Sequence, residues 1–105
     1  MTKVISTKTG TESQILAVGS YRPKRLVPNS EIVDRIDSSD EWIQQRTGIE
    51  TRRFAGSDET VLDMATWAAE AALKKAKLTI TDIDTIIVAT ITFPFQAPSA
   101  ATAIL

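Results

Sequence analysis

The run Thr85 to Thr92, with Ile86-Ile-Val-Ala89 at its centre, is apolar at nearly every position, the pattern of a strand buried on both faces. Ile15 to Val18, ending at Gly19, is a second, shorter run of the same kind. Between them, residues from about Glu59 to Lys77 carry a helical pattern, with Val61, Leu62, Met64, Ala65, Ala68, Ala69, Ala72, Leu73 and Ala76 covering more than one stripe. So many alanines predict close packing on two sides. Ser57 or Asp58 is the expected N-cap, Lys74, Lys75 and Lys77 suit the negative C-terminal end, and Trp67 reads as a packing residue at the margin. Strand, helix, strand with so long a crossover predicts a parallel pair with a right-handed connection, and therefore an α/β fold.

The shorter elements follow from local chemistry. Tyr21 to Pro28 reads as irregular, because its two prolines withhold donors and bias their neighbours to extended geometry. Asn29 is the expected cap of a short helix reaching about Ile36, and Thr51 to Ala55 reads as extended. Thr81-Asp-Ile-Asp84 has capping-box spacing and predicts one helical turn. Phe93-Pro-Phe-Gln-Ala-Pro98 is a stiff aromatic loop at the carboxyl end of the second apolar run, where ligands gather in open α/β sheets. Ser99 then caps a helix from Ala100 to Leu105. The polar leader, residues 1–13, has little to bury, which leaves 14–105 as one incomplete domain. Its apolar ending reads as that of a fragment.

The stretch with the most chemistry is Asp37-Ser-Ser-Asp-Glu-Trp-Ile-Gln-Gln-Arg-Thr-Gly-Ile-Glu-Thr-Arg-Arg53. Ser38 or Ser39 can cap a helix start, Asp40 and Glu41 complement its dipole, and Gly48 closes the last turn. Trp42 and Arg46 are spaced i, i+4 and leave the same face. An indole that stacks on a base beside a guanidinium that forks onto phosphate suits a nucleotide-bearing ligand. The alternative is a packing anchor whose cation covers the ring.

Composition narrows the classes. A net charge of −1 gives no global attraction to nucleic acid or to an anionic membrane. Arg22, Lys24, Arg25, Arg35, Arg46, Arg52 and Arg53 cluster, but Glu31, Asp34, Asp37, Asp40, Glu41 and Glu50 nearly cancel them, so a solvated surface is the default reading and a phosphate-facing patch the other. With no cysteine and no histidine, the chain holds no disulfide, no Cys/His metal site and no thiol–imidazole nucleophile. No metal site is expected. The leader lacks the apolar core of a signal peptide and no run has membrane-spanning length, so a cytoplasmic location is the expectation.

Asp37-Ser-Ser-Asp-Glu-Trp-Ile, Arg46-Thr-Gly-Ile and Arg52-Arg53 resemble the signature near the N-terminus of β-ketoacyl-acyl carrier protein synthase III. Gly19-Ser-Tyr-Arg-Pro, Asn29, the Ala-rich helix, Asp82-Ile-Asp with Ile-Ile-Val-Ala-Thr90, and Pro98-Ser-Ala-Ala resemble successive segments of the same family. The resemblance runs from about Ile15 to Leu105 and over roughly the first third of the family's protein. It implies a thiolase-like fold, of which this chain is the N-terminal part of one layered βαβαβ half with a mixed, largely parallel sheet. It implies an acyltransferase that condenses an acyl-CoA, often acetyl-CoA, with malonyl-acyl carrier protein to start fatty acid synthesis, and a homodimer in the complete protein. Coenzyme A enters as the substrate's thioester, and no separate cofactor is implied.

By the same resemblance Trp42 stacks the CoA adenine, Arg46 stands at the CoA entrance and Ser38 contacts the base. Phe93, Phe95, Gln96 and Ala97 fall in the loop that enters the acyl pocket of the dimer partner. Ala97 replaces the bulky residue of some members, which leaves room for a longer or branched primer. The family's catalytic cysteine, histidine and asparagine have no counterparts here, so the chain alone is expected to be inactive. The alternatives are the front end of a related thiolase-fold acyltransferase of secondary metabolism and a non-catalytic CoA-binding module.

Overall fold

The structure, a computed structural model, describes residues 13–92 and 99–104. The chain divides into two compact units, Arg22–Thr60 and a second made of the residues up to Tyr21 together with those from Val61 onward.

In the first unit, β1 (Arg25–Pro28) pairs antiparallel with β2 (Thr51–Phe54), in the register Arg25↔Phe54, Leu26↔Arg53, Val27↔Arg52 and Pro28↔Thr51. β2 matches the extended piece expected there, whereas β1 corrects the expectation of an irregular Tyr21–Pro28. Both prolines escape the cost of a lost ladder donor: Pro23 precedes the strand and Pro28 is its last residue. The chain passes directly into α1 (Asn29–Ile32) and a 3₁₀ turn, Val33–Arg35, and then into α2 (Asp40–Thr47). Val27, fully buried, and Ile43 are this unit's buried apolar residues among those described. Arg25 pairs with Glu31 and lies over the Phe54 ring, 5.9 Å from its centroid. The loop after β2 is closed by the buried Glu59 carboxylate, which accepts from the Lys24 N–H at 3.2 Å and the Gly56 N–H at 3.2 Å.

The second unit is built on α3 (Val61–Ala76). This long helix lies where the apolar pattern places it, but it starts beyond Ser57 and Asp58, neither of which caps it. Gly19 lies so close to the helix that a side chain there would collide with the backbone of Ala68 and Ala72, and this contact is what the Ala-rich face accommodates. Lys75 donates to the Val18 carbonyl at 3.0 Å, and Tyr21 packs on Trp67 with ring centroids 4.7 Å apart. Lys77 ends the helix at φ 57, with its N–H on Lys74 O and the Leu78 N–H on Leu73 O, a left-handed stop. A 3₁₀ turn over Ile80–Asp82 follows, two residues before the expected box: Asp82, not Asp84, is its acid, accepting from the Thr79 N–H at 2.9 Å. In α4 (Ala100–Ile104) the Thr102 N–H donates to Ser99 Oγ at 3.3 Å, the expected cap, and Ala100 is buried. An apolar cavity of about 390 Å³ lies among Ala69, Leu73, Ile83, Ile86 and Ile104.

Two further expectations are corrected. Neither Ile15–Val18 nor Thr85–Thr92 forms a strand, and the one sheet among the described residues is antiparallel and two-stranded rather than largely parallel. A strand is defined by its ladder, and hydropathy reports only that a run would bury both faces if a neighbour were present. Here Ile87 and Ile91 are 89% and 98% exposed. For the same reason α3, expected to be enclosed on two sides, has no fully buried residue.

Candidate functional site: the exposed Trp42–Arg46 helix

Helix α2 starts and stops where its sequence dictates. Ser39 has extended backbone angles and its Oγ accepts from the Trp42 N–H at 3.2 Å, while Gly48, at φ 70, closes the far end with its N–H on Gln44 O at 2.8 Å. Thr47 adds a local lock: its hydroxyl donates to Ile43 O at 2.7 Å and accepts from the Ile49 N–H at 3.0 Å. Only Ile43 of the eight helical residues is buried.

Trp42 is 55% exposed, so among the described residues its ring is not a core anchor. Arg46 leaves the same face, its guanidinium carbon 5.7 Å from the Trp42 ring centroid. The cation therefore lies over the ring and the ring remains open to solvent, so features of both sequence readings coexist. Trp42 also borders a cleft of about 430 Å³ with Ile36, Asp37, Ser38, Ser39 and Ile43. Ser38 also lines that cleft, but its Oγ is itself buried and has no hydrogen-bond partner among the described residues. Ser38 and Trp42 are thus brought to one cleft, which Arg46, over the indole, does not line. Phe93, Phe95, Gln96 and Ala97 lie outside the described residues.

Asn29 is the residue that sequence reasoning misplaced. Expected as a helix cap, it leaves that position to Pro28, makes no capping bond and is 1% exposed. Its backbone N–H donates to Glu50 O at 3.1 Å, which carries the β1–β2 pairing one residue further. Its side-chain Nδ2 donates to Asp40 Oδ1 at 2.6 Å and to Ile49 O at 2.8 Å, and its Oδ1 accepts from Arg52 Nη2. These partners lie 11, 20 and 23 residues away, so no local pattern announces them. The Asp40 carboxyl also accepts from Gln44 Nε2 at 2.9 Å; that bond first, and then the Asn29 amide, hold its pKa below the ordinary 3.8.

The basic cluster is partly consumed internally. Lys24 pairs with Asp58 at 3.3 Å and Arg25 with Glu31, while Arg52 and Arg53 donate to backbone carbonyls of Val27 and Lys24. Among the described residues no group of three acidic, His or Cys side chains could hold a metal ion, and no helix is long and apolar enough to cross a membrane.

No family model matches the chain. A mycobacterial β-ketoacyl-[acyl-carrier-protein] synthase III from Mycolicibacterium paratuberculosis is 49% identical over 104 residues, covering 99% of this chain and 31% of that protein. A crystal structure of the priming β-ketosynthase of the R1128 polyketide pathway superposes with a TM-score of 0.82 at 44% identity, over 87% of this chain and 27% of that one. The 3-oxoacyl-[acyl-carrier-protein] synthase III of Aquifex aeolicus gives 0.80 at 43% identity, over 86% of this chain and 29% of that one. The chain therefore spans about a third of the length of such relatives. In sequence and in its thiolase-like fold, it corresponds to the N-terminal portion of the β-ketoacyl-acyl carrier protein synthase III proteins.

Proposed function

We propose that the chain supplies the CoA-facing helix of a β-ketoacyl-acyl carrier protein synthase III, whose complete protein condenses an acyl-CoA with malonyl-acyl carrier protein in the cytoplasm as a homodimer. Trp42 stacks the adenine, Arg46 holds phosphate and Ser38, whose Oγ is buried in this structure, turns its hydroxyl toward the base on binding. The observation that carries this reading is the 55% exposed indole with a guanidinium at 5.7 Å, on a helix that borders a cleft of about 430 Å³. Exposing an indole is unfavourable by its hydrophobic area, so a site that keeps one at the surface beside a cation is suited to a stacked, anionic ligand. On this reading Phe93 to Ala97 serve the acyl pocket across the dimer, and the catalytic cysteine, histidine and asparagine come from outside this chain. Coenzyme A is then part of the substrate, not a resident cofactor.

A second reading is favoured by one observation, the TM-score of 0.82 to a priming ketosynthase of a polyketide pathway: the same front end would then serve a starter unit of secondary metabolism. Both readings require CoA recognition. Titrating the chain with CoA while following tryptophan fluorescence tests it, because Trp67 is an internal reference on α3. Saturable quenching in the parent chain that disappears in Trp42→Ala is expected. A folded chain without that response overturns CoA recognition by this helix.

A further inference from the structure

We propose that Asn29 is a positioning residue for the Trp42–Arg46 helix, its side-chain amide clamping the first turn of α2 to the segment entering β2 and to Arg52. The inference rests on the CoA reading above and goes beyond it to what holds the helix in register.

The amide's capacity matches its surroundings. Nδ2 has two hydrogens and two acceptors, Asp40 Oδ1 at 2.6 Å and Ile49 O at 2.8 Å, and Oδ1 takes the Arg52 guanidinium. Asp40 is the first residue of α2 and Ile49 lies just past its Gly48 stop, so one side chain ties both ends of the helix together. Ile43 is the helix's only buried residue, and a single buried side chain leaves rotation about the helix axis weakly fixed. The bonds of a 1% exposed amide supply that restraint, because breaking any of them strands a buried polar group. Trp42 is two residues beyond Asp40, and its ring direction follows from the orientation of this first turn.

Asn29→Asp is the informative change. The new carboxylate still accepts from Arg52, which preserves the link to β2, but it removes both donors and faces the Asp40 carboxylate. At neutral pH the two negative charges separate the helix start from its anchor; as pH falls, one of the pair takes up a proton and the bond can re-form. Asp40 and Arg52 are the charged side chains that touch the site.

CoA affinity is measured by tryptophan fluorescence at pH 7.5 and pH 5 for the parent chain, Asn29→Asp, and Asn29→Asp with Asp40→Asn, which restores a donor opposite an acceptor. Expected are a loss of about tenfold in Asn29→Asp at pH 7.5, a smaller loss at pH 5, and partial recovery in the double variant. Unchanged affinity in Asn29→Asp, or a double variant as weak as the single one at both pH values, overturns the clamp. If the parent chain itself fails to respond to CoA, the functional reading falls and the clamp is judged from amide hydrogen exchange alone. Faster exchange across the first turn of α2 in Asn29→Asp, slowed again in the double variant, upholds it; unchanged exchange overturns it.

Discussion

At the residue scale, Asp40 shows how much a single exposed side chain can take on. It sits in the positive first turn of α2, accepts from Gln44 one turn later and from Asn29, and its carboxyl is held below 3.8 chiefly by the Gln44 amide. A depressed value in the folded state means that the favourable contribution is complete above the unfolded value near 3.8 and is lost as pH falls through the lower folded one. The first turn of α2 should thus be indifferent to pH between about 5 and 8, and should loosen only in stronger acid. Following the Asp40 carboxyl by NMR should give a midpoint below 3.8 that rises toward it in Gln44→Ala. A midpoint at or above 3.8 in the parent chain would remove the basis for both bonds. Gly48 is the other residue fixed by geometry alone, since its φ of 70 is left-handed and nothing stands near the position of a side chain.

At the element scale, α2 and α3 differ in how their ends are specified. Ser39 and Gly48 are the residue types that a helix start and stop prefer, so both ends of α2 were legible in the sequence. α3 stops on Lys77, which adopts φ 57 without being glycine, so its end was placed only by the basic residues around it. Lys77→Gly should therefore stabilise this unit by about 0.5–1 kcal/mol, the relief of left-handed strain outweighing the loss of one favourable charge at the helix end. A urea transition followed at Trp67 should shift upward; a downward shift would mean that the Lys77 side chain contributes more than its strain costs. Asn29 marks the opposite limit of legibility. An Asn after a Pro, ahead of apolar residues at helical spacing, looks like a cap, and only tertiary structure reveals that its amide faces Asp40, Ile49 and Arg52 instead.

For the whole molecule, the sequence conveyed which runs want burial but not what buries them. Val27, Ile43 and Ala100 are the buried apolar residues among those described, whereas Ile15, Val18, Ile87 and Ile91 stand well exposed. The thiolase-like arrangement was readable because the signature stretch and the Ala-rich helix are both present, and the priming ketosynthase structure matches 87% of this chain but only 27% of its own. A sheet cannot be read from one strand's hydropathy, since its partners are chosen by pairing over long range. The exposed isoleucines have a measurable consequence. Exposed apolar side chains clustered along a segment favour association, and a net charge of −1 offers little repulsion against it. The 105-residue chain should thus show concentration-dependent association in sedimentation velocity. Ile87→Lys with Ile91→Lys should suppress it without lowering the Trp67 urea transition, because side chains 89% and 98% exposed contribute nothing to the chain's own packing. Association undiminished in that variant would assign it to another surface, and a parent chain monomeric at every concentration would show that this apolar edge is closed in solution.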